Sequence, residues 1–419
     1  MNFHGVKKLS TTYETELGDT FETVSRKTYG HEGEASRIAQ ANPGVTEPLQ
    51  IGVDLTTPVV YKSPKNITQA SPSAEENETA IMVKGTRFRF WSSVKIMQAV
   101  DTISTVEMEA PFDPDAEGFL DFFEPFAFSD LEVTVGGGLL FTGNVIGVTP
   151  KVTVERKTIS LSGYSVPGVL GDCTSPDTAF PLEFVGEGLS AIADTLVAPF
   201  GITVDFRVDQ GPVFEQVAYK PGTTIWSFLT GLAKQRNVVM SSSPEGNLIF
   251  WQSVPTGSPV ATFAKGNVGI ASVTPHFNPQ DYYSSITGIT PMLFGEAGTP
   301  YPAKNSFLKG VLRPMTYQVG DVDEVNAATA VEAKRSRMFA NMVSYTVEIP
   351  TWRDPNNNLW TPNTTISLHY PDALILKPYE FVIRSVKLER SKNKEMAKLN
   401  LVLPGSFSGE PPETLPWLP

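Results

Sequence analysis

Between Ile81 and Gly163 apolar side chains fall at every second position in one short segment after another, and no other feature constrains the fold of this chain as tightly. Ile81 and Val83, Phe88 and Phe90, Val94 and Ile96, and Val106 and Met108 each mark one face of a half-buried strand. After an acidic, Phe-rich connection from Asp113 to Asp130, Leu131, Val133 and Val135 alternate with Glu132 and Thr134. Gly136-Gly137-Gly138 then supplies the positive φ of a tight reversal, and Leu139–Val148 returns as the second arm of a hairpin. Val152, Val154, Ile159 and Leu161 carry the pattern to Gly163. About six antiparallel neighbours this close in sequence predict a small closed β-barrel rather than a parallel sheet.

A chain of 419 residues exceeds what one core supports, so several domains are expected. With 41% hydrophobic and 19% charged residues it is a folded, water-soluble chain, and 34 Pro with 33 Gly suit a turn-rich β protein. The formal charge of −12 repels a phosphate backbone and argues against specific nucleic-acid binding. Cys173 is the single cysteine, which excludes an internal disulfide and a cysteine-based metal site; it reads as a small buried residue. Met1–Lys8 shows no apolar signal-peptide core and no run is long enough to span a bilayer, so assembly in a cytoplasm and no membrane partner are expected.

The remaining segments follow in chain order. Residues 13–58 predict a strand-helix-helix-strand unit. Asp19 or Thr20 caps a helix beginning at Phe21, and a second helix over about 33–41 stops at Asn42-Pro43-Gly44. The unit resembles the LysM module through Gly18-Asp19-Thr20-Phe21, Asn42-Pro43-Gly44 and Leu49…Gly52…Leu55…Pro58. With Tyr29-Gly30-His31-Glu32-Gly33-Glu34 it is closest to the tail protein X family of contractile phages. The resemblance implies either docking to neighbouring tail proteins or binding of N-acetylglucosamine polymers, with Gly18, Asp19, Thr20, Phe21, Asn42, Pro43, Gly44 and Leu49 as candidate contacts. Residues 61–79 are polar and read as a linker.

An α+β domain is expected over 177–260, with amphipathic helices on Leu189–Val197 and Ile225–Ala233, a strand on Ile202–Val208 and a hairpin across Pro244–Asn247. Strands return over 261–408, interrupted by a helix within Asp321–Met342, as a second β-barrel, and 409–419 is a tail. The chain thus reads as mainly β with α+β: a LysM (βααβ) module, a linker, a first barrel over 80–176, the α+β domain and the second barrel.

Residues 81–408 also resemble the baseplate hub proteins of contractile-tailed phages: the Mu-type hub, with relatives in the phage T4 hub, the P2 late control D protein and the base of type VI spikes. The resemblance rests on the order and spacing of Lys84-Gly85…Phe88…Trp91…Val94-Lys95-Ile96, Val135-Gly136-Gly137-Gly138…Phe141-Thr142-Gly143, Ser162-Gly163-Tyr164-Ser165…Leu170-Gly171-Asp172-Cys173-Thr174-Ser175-Pro176, Pro199-Phe200-Gly201-Ile202-Thr203-Val204 and Trp352…Leu359-Trp360-Thr361-Pro362-Asn363. Tyr164 stands where the family usually has Arg. The resemblance implies a virion protein of the tail baseplate: a homotrimer whose six barrels match the hexameric tail tube above and the trimeric central spike below. Its implied partners are the tube or distal tube protein, the spike, baseplate wedge proteins and the tape-measure protein. DNA passes through on genome ejection, which calls for an acidic and small-polar channel wall, with Glu107, Glu109, Glu132 and Glu155 as candidates.

Nothing in the sequence assembles a catalytic centre, and no enzyme, cofactor or metal is expected. His4, His31, His276 and His369 are scattered without ligand spacing, Gly-x-Ser-x-Gly is absent, and Gly136-Gly137-Gly138 lacks the Lys and the helix of a phosphate loop. Asp121, Glu124 and Asp130 read as a solvated acidic loop rather than a glycosidase pair. Trp352 and Trp360 read as cross-strand packing rather than a sugar platform. Against the structural hub stand two alternatives. One is a peptidoglycan-binding tail component using LysM alone. The other is a muralytic enzyme, which needs a catalytic domain that 81–408 does not show.

Overall fold

A computed structural model describes residues 12–29, 35–57, 77–88, 91–115, 118–154, 157–176, 180, 182–255, 257–266, 269–290, 298–319, 324–391 and 394–418. The N-terminal unit consists of β1 (Thr12–Glu14), α1 (Phe21–Tyr29), α2 (Ala35–Ala41) and β2 (Asp54–Thr56), with β1 and β2 antiparallel. Phe21, Val24, Ile38, Leu49 and Leu55 form its core. So small a core relies on polar staples. Asp19 is buried and accepts hydrogen bonds from the Glu16 amide at 2.9 Å, the Tyr13 hydroxyl at 2.9 Å and Lys27 Nζ at 2.8 Å. The helix cap falls to Thr20, whose Oγ1 accepts from Thr23 N at 3.2 Å. Asn42 bonds Ile38 O, Thr56 O and Thr56 N at 2.7–2.8 Å, closing the end of α2 onto β2. Residues 30–34, part of the expected interhelix motif, lie outside the described residues, as do 58–76 of the expected linker.

The first strand set is β3 (Thr79–Val83), β4 (Thr86–Phe88), β5 (Ser93–Ala99), β6 (Thr105–Pro111), β7 (Asp130–Val135), β8 (Gly138–Val152) and β9 (Lys157–Ser165), with the one-turn α3 (Phe119–Phe122) before β7. Gly136 and Gly137, at φ 56° and 81°, make the expected reversal between β7 and β8. At Gly143 a Cβ would lie 1.9 Å from Tyr164 O, so only glycine lets β8 and β9 approach there.

Next come α4 (Val169–Asp172), β10 (Glu183–Glu187), α5 (Leu189–Val197), β11 (Val204–Phe206), β12 (Phe214–Ala218), α6 (Ile225–Gln235), β13 (Val239–Ser242) and β14 (Leu248–Trp251). They form a β10–β12 pair and a β11–β14–β13 sheet around a second core. Thr224 Oγ1 caps α6 by accepting from Ser227 N, and Gly201 takes the left-handed conformation. The domain is stitched to the first strand set through Ser165, Ser242 and Ser104, whose hydroxyls lie 2.7 and 3.2 Å apart in series, and through Trp251 Nε1, which donates to Val100 O.

The C-terminal strands are β15 (Ala261–Ala264), β16 (Ser272–Phe277), β17 (Ser285–Ile289), β18 (Pro300–Lys304), β19 (Pro314–Gln318), β20 (Val343–Ile349), β21 (Thr365–His369), β22 (Tyr379–Ser391) and β23 (Lys394–Val402), with α7 (Glu324–Met342) before β20. β18–β17–β19 is a small separate sheet against which α7 packs. The rest join the first strand set. One 13-stranded sheet runs β16–β20–β23–β22–β5–β6–β9–β8–β7–β3–β4, with β21 on β22 and β15 on β21. The sequence predicts two closed barrels separated by the α+β domain; among the described residues neither closes by strand pairing, and the two strand sets are continuous through β22 and β5. They share one hydrophobic core. The reason is the length of β22: Tyr379–Val382 pairs with β21, and Ser385–Ser391 pairs with β5 while β23 lies on its other edge.

The switch falls at a bulge around Arg384, whose carbonyl accepts from Val100 N at 2.9 Å and whose guanidinium meets Asp101 at 2.8 and 3.3 Å. Arg384→Ala should lower stability by about 1–2 kcal/mol, since a two-pronged charged contact is lost at a partly exposed site. Asp101→Asn should cost about the same and the double variant no more than either, read from denaturation midpoints. Additive losses would separate the pair from the bulge.

Burial pushes the Asp19 carboxyl up, but the bonds from Lys27, the Glu16 amide and Tyr13 outweigh it and lower it from 3.8 to about 2. A depressed carboxyl stabilises the fold above its unfolded value, so this contribution, ~1 kcal/mol after screening, should vanish as pH falls from about 4 to about 2. Amide exchange across residues 13–57 of the whole chain should accelerate over that window, and Asp19→Asn should remove the step.

Candidate functional site

Because facing residues of an antiparallel ladder share a side, the outward face of the shared sheet can be read row by row. One row runs Ser272, Glu348, Lys398, Lys387, Met97, Thr105 across β16, β20, β23, β22, β5 and β6. The next runs Glu389, Lys95, Glu107, Ser162, Gly147 from β22 to β8, and the next Ser391, Ser93, Glu109, Ser160, Thr149. On the other side of the first row lie Thr274, Thr346, Asn400 and Ser385. The opposite face is the core, with Val347, Leu399, Leu388, Ile96 and Val106 fully buried.

Apart from Met97, the outward positions in these rows are therefore small, polar or charged, with both signs interspersed. Lys398 and Lys387 stand directly opposite, an unfavourable pair that Glu348, 2.8 Å from Lys398, and Glu389, 2.9 Å from Lys387, neutralise. Lys95 lies 3.4 Å from Glu107. The bond from Lys398 holds the Glu348 carboxyl below the usual carboxylate range, and Glu348 in turn raises Lys398. Burial pushes Glu389 up, yet Lys387 and the lysines behind it win and the carboxyl is lowered. Of the expected acidic wall, Glu107 and Glu109 sit on this face among lysines, Glu132 lies on β7 outside these rows, and Glu155 falls outside the described residues. The face is charge-compensated, not acidic. Which residues pair was not legible in sequence, because period-2 alternation assigns a side but no neighbour.

The rim carries exposed apolar groups. Phe126 and Phe128 are exposed and hold φ of 60° and 47°, a strained backbone for aromatic residues, while Phe119, Phe122 and Phe123 of the same segment enter the core. Beyond Pro150 the β8–β9 hairpin leaves the core, and Val152 and Val154 are bare. The sequence reading missed the exposed phenylalanines, since a Phe-rich run looks the same whether its rings enter the core or leave it.

The structure separates the N-terminal candidates. Asp19 and Asn42 spend their polar atoms inside the unit, Phe21 and Leu49 are core, Thr20 is the cap, Gly18 and Gly44 occupy turns at φ 88° and 94°, and Pro43 is exposed. The unit's own exposed apolar groups are Leu17 and Ile51, beside the Thr15–Val53 and Gly52–Thr15 backbone bonds. On the other side of residues 58–76, Asn77 is gripped by Glu395 at 2.8 Å, Arg353 at 2.8 Å and Arg390, at the β22–β23 tip.

Residues considered for catalysis are placed otherwise. Glu124 pairs with Lys84 at 2.6 Å, and Asp130 faces Asn144 in the β7–β8 ladder. Trp352 and Trp360 are buried, Trp352 Nε1 donating to Glu389 O and Met396 O and Trp360 Nε1 to Thr351 O. Cys173 is partly buried, and burial raises its thiol. His276 Nε2 lies 3.1 Å from Thr346 Oγ1 on the polar face. Among the described residues no His, Cys, Asp and Glu cluster is arranged to hold a metal, and no helix is long and apolar enough to cross a membrane. Tyr164, at the position of the family's Arg, is buried against Gly168 and joins the core of the α+β domain.

Residues 167–252 match the family described as "Baseplate hub protein gp44-like, second domain". The baseplate hub protein gp44 of Escherichia phage Mu is 21% identical over 328 residues, 74% of this chain and 84% of its own. Among solved structures, the 43 kDa tail protein of prophage MuSo2 from Shewanella oneidensis superposes with a TM-score of 0.67 at 24% identity, covering 79% of this chain and 99% of that one. The tail protein from Neisseria meningitidis MC58 does so at 0.65 and 18%, covering 79% and 98%. Sequence and fold together bear out the resemblance to the baseplate hub proteins of contractile-tailed phages.

Proposed function

We propose that the chain is the structural hub of a contractile phage tail: a homotrimer that joins the hexameric tail tube to the trimeric central spike and lines part of the channel for DNA and the tape-measure protein. The observation that carries this reading is the shared sheet, in which the two strand sets of one chain stand side by side through β5 and β22. Three copies then offer six such units to a sixfold tube. Joining copies edge to edge also covers β4 and β16, the two ends of the sheet's main run. The small-polar, charge-compensated face is suited to the lumen, because paired lysines offer a passing phosphate little net positive charge. Exposed Phe126, Phe128, Val152 and Val154 are suited to neighbouring tail proteins.

The N-terminal unit, read as LysM, serves in this proposal as a tethered docking module that meets another tail protein through Leu17 and Ile51. The alternative, in which it holds N-acetylglucosamine polymers during cell-wall penetration, gains nothing from Asp19 and Asn42, whose polar atoms are already engaged. The role of the chain is structural and not enzymatic.

Mass photometry of the purified chain with its spike partner should show three copies; a persistent monomer overturns the assignment. Deleting residues 1–76, sparing Asn77, should leave the melting temperature of the trimer nearly unchanged and block baseplate assembly. Replacing Glu107, Glu109 and Glu348 together by Lys should preserve the trimer and cut DNA delivery at low salt by about tenfold, with recovery as salt rises. Unchanged delivery would place this face outside the channel.

A further inference from the structure

Between α6 and α7 the structure holds a cavity of about 390 Å³ whose charge neither the sheet nor the hub architecture explains. Lys234, in the last turn of α6, lines one wall. Lys334 and Arg337, three residues apart and so on one side of α7, line the other. Tyr317 of β19 closes the floor, with Lys334 Nζ 4.5 Å from its ring centre.

Arg337 has a structural reason to be there. Its guanidinium donates to Lys234 O at 3.0 Å and Val238 O at 3.2 Å, covering carbonyls at the C-terminal end of α6, where a cation is favoured. That role does not account for the lysines. The cavity's carboxylate is Asp281, which accepts from Asn278 at 2.6 Å, and neither Lys234 nor Lys334 forms an ion pair among the described residues. Asp101, the nearest other anion felt here, is engaged by Arg384. Burial and mutual repulsion lower Lys234 and Lys334, and burial lowers Arg337 to about 10. Three cations against one carboxylate leave an excess of positive charge in a partly dry space, which is costly. A bound anion removes the repulsion and replaces the lost hydration, and the volume lies in the range of small-molecule sites.

We propose that this cavity binds a small multivalent oxyanion of the phosphate class, held by Lys234 from α6 and by Lys334 and Arg337 from α7. Charge number favours a multivalent anion over a lone carboxylate, since three cations converge. The ligand clamps the α+β domain to the helix that packs on the β17–β19 sheet. The phosphate groups can come from an inorganic anion or from a nucleotide whose base lies on Tyr317 and Met315.

The test uses the whole chain, with pyrophosphate, ADP and a tetraglutamate peptide titrated by calorimetry at constant ionic strength in chloride, alongside thermal unfolding. Pyrophosphate should bind saturably and raise the melting temperature. Lys334→Gln and Lys234→Gln should each weaken binding by about tenfold, the loss of one charged hydrogen bond. Lys220→Gln, at an exposed position outside the cavity, should not. Tighter binding of ADP than of pyrophosphate identifies a nucleotide; equal or weaker binding identifies the inorganic anion. The proposal is overturned by absence of saturable binding, by binding that survives the Lys234→Gln/Lys334→Gln double variant with its melting curve still cooperative, or by binding of tetraglutamate without pyrophosphate.

Discussion

The pairing of β22 with β5 is the constraint on which the rest of the structure depends. Seven residues of β22, Ser385–Ser391, face Ser93–Ala99, and they unite positions 286 to 298 residues apart in the chain. Closing so long a loop is costly in entropy, though the cost grows only with the logarithm of loop length. The return is a single core: Leu388 and Ile96 are both fully buried and belong to one cluster with Tyr345, Phe381, Leu131 and Phe141. Without this seam each strand set would expose an edge, and the polar rows would break in the middle.

The seam also dictates the character of the outer face. A sheet with one side in the core must alternate, so every apolar residue committed to packing is followed by one committed to water. On this sheet the outward positions are filled mostly by Ser, Thr, Asn and Gly, with Glu and Lys where the rows cross β20, β23, β22, β5 and β6 and with Met97 and Met396 among them. Such exposed ion pairs contribute little to stability, about 0–1 kcal/mol each. Their consequence is electrostatic: the glutamates shorten the reach of lysine charge, and the lysines keep the glutamates ionised. Lowered carboxyls at Glu348 and Glu389 and a raised ammonium at Lys398 favour the charged forms of these three groups.

Much of this was legible in the sequence where the signal is local. Alternation located β5, β6, β7, β20, β21, β22 and β23, Gly136-Gly137 marked the β7–β8 hairpin, and helical spacing found α5 and α6, with Thr223 or Thr224 as the cap of α6, of which Thr224 takes the role. The prolines of β18 and β19 hid the small sheet they form with β17, because proline weakens the strand pattern. Partnership at a distance was not legible. Two closed barrels and one continuous sheet share the same period, and only the bulge at Arg384, invisible in any local pattern, lets β22 leave β21 and join β5. In the N-terminal unit Asp19 and Thr20 were equivalent as caps by residue type; burial and the Lys27 ammonium decide that Asp19 binds inward and Thr20 caps.

The N-terminal unit and the sheet are stabilised by different physics, and this bears on how they could work together. Among the described residues the unit's core has five buried side chains, so it leans on Asp19 and Asn42, whose loss leaves buried partners unsatisfied. The sheet draws on a core extending through both strand sets and tolerates the loss of any one polar contact far better. A device that must hold position under load is better built from the second kind of structure. A device that must find and grip a neighbour needs only a small fold with exposed apolar groups on a polar tether. The junction fits that division, because Asn77, where the described chain resumes after residues 58–76, is clamped by Glu395, Arg353 and Arg390 at the tip of β22–β23.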